Sequence, residues 1–297
     1  MCEIHRVNCV SSLSGKDALI CITGKVLPGC GKFVGFFHHV RAELLSQNTK
    51  PIKLGLLTRS RTLIGTIPCL VTRHVTSSPK TTPRIARFYY RFLDEGSAAN
   101  FVKRVSQFYT LPTLHRLSVS GAVPVRRGAI LALTMLGNGD SIYYLGEALR
   151  DTDRAVRLIA EDGLTALWHR AGTFQQSRLL QQIIRCNVAG LYADALRQAD
   201  GLIAGDAEIA EAWYQRGMAR AAMGDISESL ADYQHALECD PYHFPSALAM
   251  AEGYLELSDL PSAIGCLQWT LQIHPYLDYA RAQMNRLQRT LRGQADR

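Results

Sequence analysis

The chain has 297 residues, 47% of them hydrophobic, and a net charge of +7, enough for one large domain or two ordinary ones. No run approaches the roughly 18 consecutive apolar residues of a membrane span. The first 30 residues carry Glu3, Lys16, Asp17 and Lys25 and no apolar block ahead of a small-residue cleavage site, which argues against a secretory signal and predicts a cytoplasmic chain.

The net charge hides a division. Residues 1–110 hold 7 Lys and 9 Arg against 5 acids, whereas residues 111–297 hold 17 Arg, no Lys and 21 acids. Such a break suggests two joined segments of different character. The eight cysteines, at positions 2, 9, 21, 30, 69, 186, 239 and 266, show neither C-x2-C nor C-x4-C spacing, so they read as reduced thiols with no metal or disulfide framework.

Residues 1–85 read as a basic amino-terminal region of little structure. Short apolar runs at 18–26, 52–57 and 63–71 are compatible with strands and 34–45 with a helix, separated by linkers such as the Ser/Thr-rich 72–82. Gly29, Cys30, Gly31 and Lys32 resemble the end of a phosphate loop. The first glycine and the final hydroxyl that the loop requires are replaced by Val26 and Phe33, so neither the amide cradle nor the magnesium ligand forms. His38 and His39 with Cys30 lack the second ligand pair of a metal site. The positive charge of this region admits a solvated arm, a nucleic-acid tail, or translation beginning natively near residues 80–95.

From about Arg84 the pattern turns helical. Ile85, Phe88, Tyr89 and Phe92 repeat at three and four, and Ala98, Phe101, Val105 and Phe108 do the same, which makes an aromatic core stripe. Val125, Arg126, Ala129, Leu133 and Leu136 then recur 31 residues later as Val156, Arg157, Ala160, Leu164 and Leu167. The spacing puts the apolar members on one helical face with the arginine beside it. Ile142, Leu145 and Leu149 mark a return helix, and Asp151-Thr152-Asp153 offers N-cap oxygens to the second copy. The segment 86–171 is similar to the HEAT-like repeat, which implies helix pairs stacked as a right-handed solenoid, with this segment bracing the first, degenerate repeat of the array that follows.

Beyond residue 172 the period is 34. Gly190, Gly224 and Ser258 share one column, Leu196, Leu230 and Ile264 another, Ile203, Leu237 and Leu271 a third, and Pro241-Tyr242 recurs as Pro275-Tyr276. Trp213, Gly217, Gly224, Tyr233, Ala236 and Pro241 resemble the tetratricopeptide (TPR) repeat, with Arg216, Arg220 and Ser229 departing from its pattern. The reading is three repeats, 176–209, 210–243 and 244–277, and a capping helix at 278–293. Ala280, Met284, Leu287 and Leu291 form the cap's apolar stripe, with Arg281, Arg286, Arg289 and Arg292 facing water. The whole is an all-α solenoid.

The resemblance implies that the first helix of each repeat lines a concave face. That places Glu211, Tyr214, Met218 and Ala221 of the second repeat there, then Leu248, Glu252 and Leu255 of the third. Leu180 and Ile184 of the first either line the groove or pack inward. Residues 171–277 carry 5 Arg against 13 acids, a balance that favours a basic or amphipathic partner segment and predicts salt sensitivity. The family's clamp for acidic chaperone tails needs polar and basic residues where this chain has Leu180, Ile184, Gln215, Pro245 and Ala249. With no catalytic constellation, no cofactor motif and no metal spacing, the sequence predicts a non-catalytic adaptor or scaffold that binds a protein or peptide. Alternatives are a nucleic-acid-associated protein using the basic region, or a regulatory subunit of an enzyme on another chain.

Overall fold

Helix formation begins where the three-four spacing of apolar residues begins. The computed structural model describes residues 83–295, so the strand-like runs, the Gly29 to Lys32 loop and the His38–His39 pair lie outside the described residues. Among the described residues there are thirteen helices and no strand. α1 (Arg84–Glu95) buries Ile85, Tyr89 and Phe92, and α2 (Ala98–Ser106) buries Phe101 and Val105. Phe108, expected on the same stripe, lies past the end of α2 and is exposed, its ring under the Arg84 guanidinium and beside Phe88. Once the helix ends, its period no longer dictates where a side chain points.

α3 (Leu111–Ser120), α4 (Val123–Leu136), α5 (Ser141–Ala148) and α6 (Arg154–Trp168) follow. The two copies of the 31-residue pattern are α4 and α6, which pack on one another. Val125, Ala129 and Leu133 are buried in one copy and Val156, Ala160, Leu164 and Leu167 in the other. The arginines act beside this face. Arg126 donates two hydrogen bonds to Asp151, at 2.6 and 2.7 Å, and Arg127 two to Asp153, at 2.8 and 2.7 Å. Such forked pairs fix orientation as well as adding energy. Asp153 also accepts from the Val156 amide, so the acidic triplet caps α6 while tying it to α4.

Three helical hairpins come next: α7 (Phe174–Val188) with α8 (Tyr192–Gly205), α9 (Ala210–Met223) with α10 (Ile226–Cys239), and α11 (Phe244–Glu256) with α12 (Leu260–Ile273). α13 (Asp278–Ala295) packs on α12 and closes the row. It buries Ala280 and Leu287 while its arginines 281, 286, 289 and 292 are exposed, and Leu291 is exposed as well.

The backbone confirms the 34-residue register. Gly190, Gly224 and Ser258 all adopt positive φ, 76°, 93° and 59°, and Ser258 is the one non-glycine to do so among the described residues. Each ends the first helix of its hairpin in the left-handed turn that glycine accepts without penalty. Ser258→Gly is therefore expected to raise stability, by about 0.5–1 kcal/mol at most, since added freedom in the unfolded chain offsets part of the relief. Thermal unfolding monitored by circular dichroism reads the sign.

Gly217 lies where α9 crosses α10. A Cβ there would stand 2.6 Å from Tyr233 Cε1 and 2.8 Å from Cδ1, so the crossing distance is set by the missing side chain. Gly217→Leu should destabilise by roughly 1–3 kcal/mol through overpacking. An unchanged melting temperature would mean that the two helices are free to separate.

The amino-terminal helices meet the array at the ends of the second and third hairpins. The Tyr242 ring covers the backbone of Gly146, where any Cβ would overlap it, and its hydroxyl donates to Glu147 Oε1 at 2.8 Å. The Trp168 indole N–H donates to Asp240 Oδ2 at 2.6 Å, with its ring 4.4 Å from His243 and 5.7 Å from Phe244. Further along, Arg150 donates to the Gln272 carbonyl, His274 Nε2 lies 3.4 Å from Glu161 Oε2, and Arg157 sits 3.8 Å over Tyr276. The recurring Pro-Tyr pair thus lands twice on the same helical segment.

This corrects the expectation that the segment braces the first repeat. One continuous apolar core runs from Ile85 through Trp168 into Tyr233, Phe244, Leu267 and Leu287. A second, built from Leu180, Ile183, Ala195, Leu202 and Ala212, belongs to the first hairpin and the start of α9. The first hairpin is tied to the segment mainly by its joint. There Thr173 and Gln176 form a capping box and Gln181 donates to the His169 carbonyl.

Candidate functional site

The first helices of the second and third hairpins, α9 and α11, with the start of α13, present a mixed surface. On α9, Met218 is 39% exposed. Tyr214 is half-buried, its ring 5.9 Å from Tyr233 and 5.1 Å from His243. Burial, then the nearby Glu211, Tyr233 and Glu252, push its hydroxyl well above the ordinary tyrosine range. On α11, Leu248 and Leu255 are half-buried and Glu252 reaches solvent. Desolvation holds the Glu252 carboxyl above the usual glutamate value, the Tyr279 hydroxyl of α13 drawing it down and the neighbouring Glu256 raising it. Tyr279 is 54% exposed.

Two of the sequence-derived groove positions turn inward. Leu180 and Ile184 are buried in the core of the first hairpin. Glu211 is also lost to the groove: it is 3% exposed and engaged on both oxygens. Gln215 donates to Oε1 at 2.7 Å, His243 Nε2 lies 3.0 Å from Oε2, and His169 Nε2 is 3.6 Å from Oε1. Burial alone would raise its carboxyl, but His243, His169 and Gln215 outweigh that and hold it below the ordinary value. Asn187 of α7 joins the network by donating to Gln215. Glu211 therefore forms the floor between hairpins, and a charge buried there is tolerable because it is paired and hydrogen-bonded.

His243 Nδ1 also lies 2.8 Å from Ser246 Oγ, which completes a serine–histidine–glutamate chain. Ser246 and His243 are fully buried. No substrate reaches the hydroxyl, so the arrangement orders the start of α11 and supplies no nucleophile. Among the described residues no group of three or more His, Cys, Asp or Glu is placed to hold a metal ion, and no helix is long and apolar enough to cross a membrane.

A cleft of about 670 Å³ opens where the amino-terminal helices meet the second hairpin, lined by Asn138, Tyr143, Arg170, Asp206, Glu208 and Tyr242 among others. Arg170 donates to the Gly137 carbonyl there, and burial lowers the pKa of its guanidinium.

Sequence reasoning missed Tyr279. It occupies the column of Glu211 and Pro245, two steps of 34 along. Carrying the period one helix further would have placed it beside the groove. It is exposed at the start of α13 and acts on the Glu252 carboxyl, so the capping helix adjoins this surface.

Known proteins bear on this geometry. Residues 210–243 match the family model of the tetratricopeptide repeat. A TPR repeat-containing protein of Rhizobium etli is 27% identical over 154 residues, spanning 52% of this chain and 74% of that protein. The crystal structure of a thermophilic TPR protein from Thermus thermophilus aligns with a TM-score of 0.32 and 16% identity, covering 69% of this chain and 95% of the other. Within the matched TPR, Arg216 and Arg220 depart from the family's apolar preferences, and both reach the buried Asp232, at 2.7 and 3.0 Å. The departures thus form an ion-paired contact between α9 and α10 in place of an apolar one.

Proposed function

We propose that this chain is a non-catalytic interaction scaffold that binds a protein or peptide segment along the first helices of its second and third repeats. The observation that carries this reading is the surface made by Met218, Tyr214, Leu248, Leu255 and Tyr279. Its apolar and aromatic side chains keep accessible area on rigid, packed helices, with Glu252 among them. A surface ordered before its partner arrives loses little freedom on binding. The TPR at 210–243 supports the same reading, because repeats of this kind generally mediate protein–protein contacts. In this reading the partner is basic or amphipathic and no cofactor is required. We read α4–α6 as HEAT-like, supported by the buried repeat faces and the paired arginines, with the role of stiffening the array.

Photo-crosslinking tests the location. A benzophenone side chain at position 218 should capture a partner in cells, while one at the exposed position 234 of α10 should not. Equal capture from both, or from neither, would remove the groove as the binding surface.

A further inference from the structure

Four stretches converge on the cleft at the junction: the α4–α5 turn, the end of α6, the α8–α9 turn and the α10–α11 turn. Its volume, about 670 Å³, falls in the range of small-ligand sites. Ile142, Leu167 and Ile209 give it apolar walls. Tyr143 is 56% exposed there, its ring edge-on to that of Tyr242 at 6.1 Å. Among the described residues that line the cleft, Arg170 is the single cation.

A charge withdrawn from water is ordinarily paired. Arg170 is half-buried and donates to the Gly137 carbonyl at 3.2 Å, but none of the described carboxylates is paired with it. Burial lowers its pKa, and no neighbouring acid raises it again. The acids that share the lining are engaged elsewhere. Asp206 accepts from Gln176 and from the Glu208 amide, and Asp240 from Trp168 and from the Tyr242 amide. Glu211 is held by Gln215 and His243, and Glu208 is exposed. The fold thus leaves a forked donor in the cleft with most of its bonding capacity unused.

That donor selects among ligands. A guanidinium meets a carboxylate in a two-pronged, charge-assisted pair, one charge against one. A phosphate dianion would carry a second negative charge into a lining whose other charged side chains are acids. The apolar walls and the Tyr143 ring suit a hydrophobic or aromatic body beside the carboxylate.

We propose that the cleft binds a carboxylate attached to an aromatic or apolar body, with the carboxylate on Arg170 and the body against Tyr143. This does not rest on the groove. A free aromatic acid and the C-terminal residue of a peptide both present that chemistry, and the test tells them apart. 3-Phenylpropionate and an acetylated tripeptide ending in phenylalanine, each as the free acid and as the primary amide, are titrated into the full-length chain and followed by saturation-transfer difference NMR. At least one acid should bind, and its amide should bind at least about tenfold more weakly. R170Q should lower the acid to the level of the amide, whereas Y143A should weaken acid and amide alike. The groove variant M218A/L255A should change neither. R170Q exchanges a desolvated charge for a neutral side chain that still carries a donor, so it should melt no lower than wild type, which separates lost binding from lost folding. Binding of the tripeptide without 3-phenylpropionate would assign the cleft to a chain terminus, and the reverse to a free acid. No binding of either acid, equal binding of acid and amide, unchanged affinity in R170Q, or a loss in M218A/L255A as large as in R170Q would overturn the proposal.

Discussion

Trp168→Ala should destabilise the protein by about 3–5 kcal/mol, the range for deleting a buried aromatic. Trp168 is 3% exposed and stands where the apolar core passes from the amino-terminal helices into the array. Removing the indole opens a cavity against His243 and Phe244 and leaves the Asp240 carboxylate without its donor, although the Tyr242 amide still reaches Oδ1. Both effects act at one joint, so unfolding should also lose cooperativity, with circular dichroism and tyrosine fluorescence ceasing to coincide in a urea titration. A fragment of residues 172–297 should likewise melt below one of residues 92–297, since it loses the partners of Tyr242, His274 and Tyr276 together. A single transition at the wild-type midpoint, in variant or fragment, would show that the two parts fold independently.

Glu211→Ala should be comparably severe, about 3–5 kcal/mol, because breaking a buried pair strands its partner. The imidazole of His243 would keep Ser246 and lose its carboxylate, and Gln215 would lose its acceptor. The pH dependence follows from the depressed carboxyl pKa. The unfolded chain takes up this proton at higher pH than the folded one, so the contribution is fully present above the ordinary glutamate value near 4.5. It is lost as pH falls below that value towards the folded one. Wild-type stability should therefore drop on acidification below about pH 4.5, and Glu211→Ala should show a shallower drop from a lower start. Urea midpoints measured from about pH 7 to about pH 3 would settle the sign. Parallel curves would mean that Glu211 is not held ionised by its histidines.

These residues show where sequence reading stops. The positive-φ column of Gly190, Gly224 and Ser258 was legible because each hairpin must end its first helix in the same turn, and only a few residues tolerate that turn. Gly217 was legible for a related reason: close helix crossings exclude side chains, and a lone glycine inside a helical pattern marks one. Asp153 was legible as a cap because its partner amide is three residues away. Glu211 was not legible. A glutamate at a groove position looks the same on paper whether it faces a ligand or a histidine 32 residues on. Leu180 and Ile184 were ambiguous for the same reason, since an apolar residue on a first helix serves either face.

What the sequence by itself determined about this protein is therefore local and periodic: helices from Arg84 onward, a 31-residue pair, a 34-residue array, and the turns and caps between them. These follow from spacing along one chain, which each residue carries with it. The tertiary structure alone decided which surfaces remain available. The docking of Tyr242 on Gly146, Trp168 on Asp240 and Arg157 on Tyr276 depends on how two separately readable segments lie against each other. No period in the sequence encodes that, because the contacts join residues 72 to 119 apart whose chemistry is compatible with many other partners. The same packing buries Glu211 and leaves Met218, Glu252 and Tyr279 in the open.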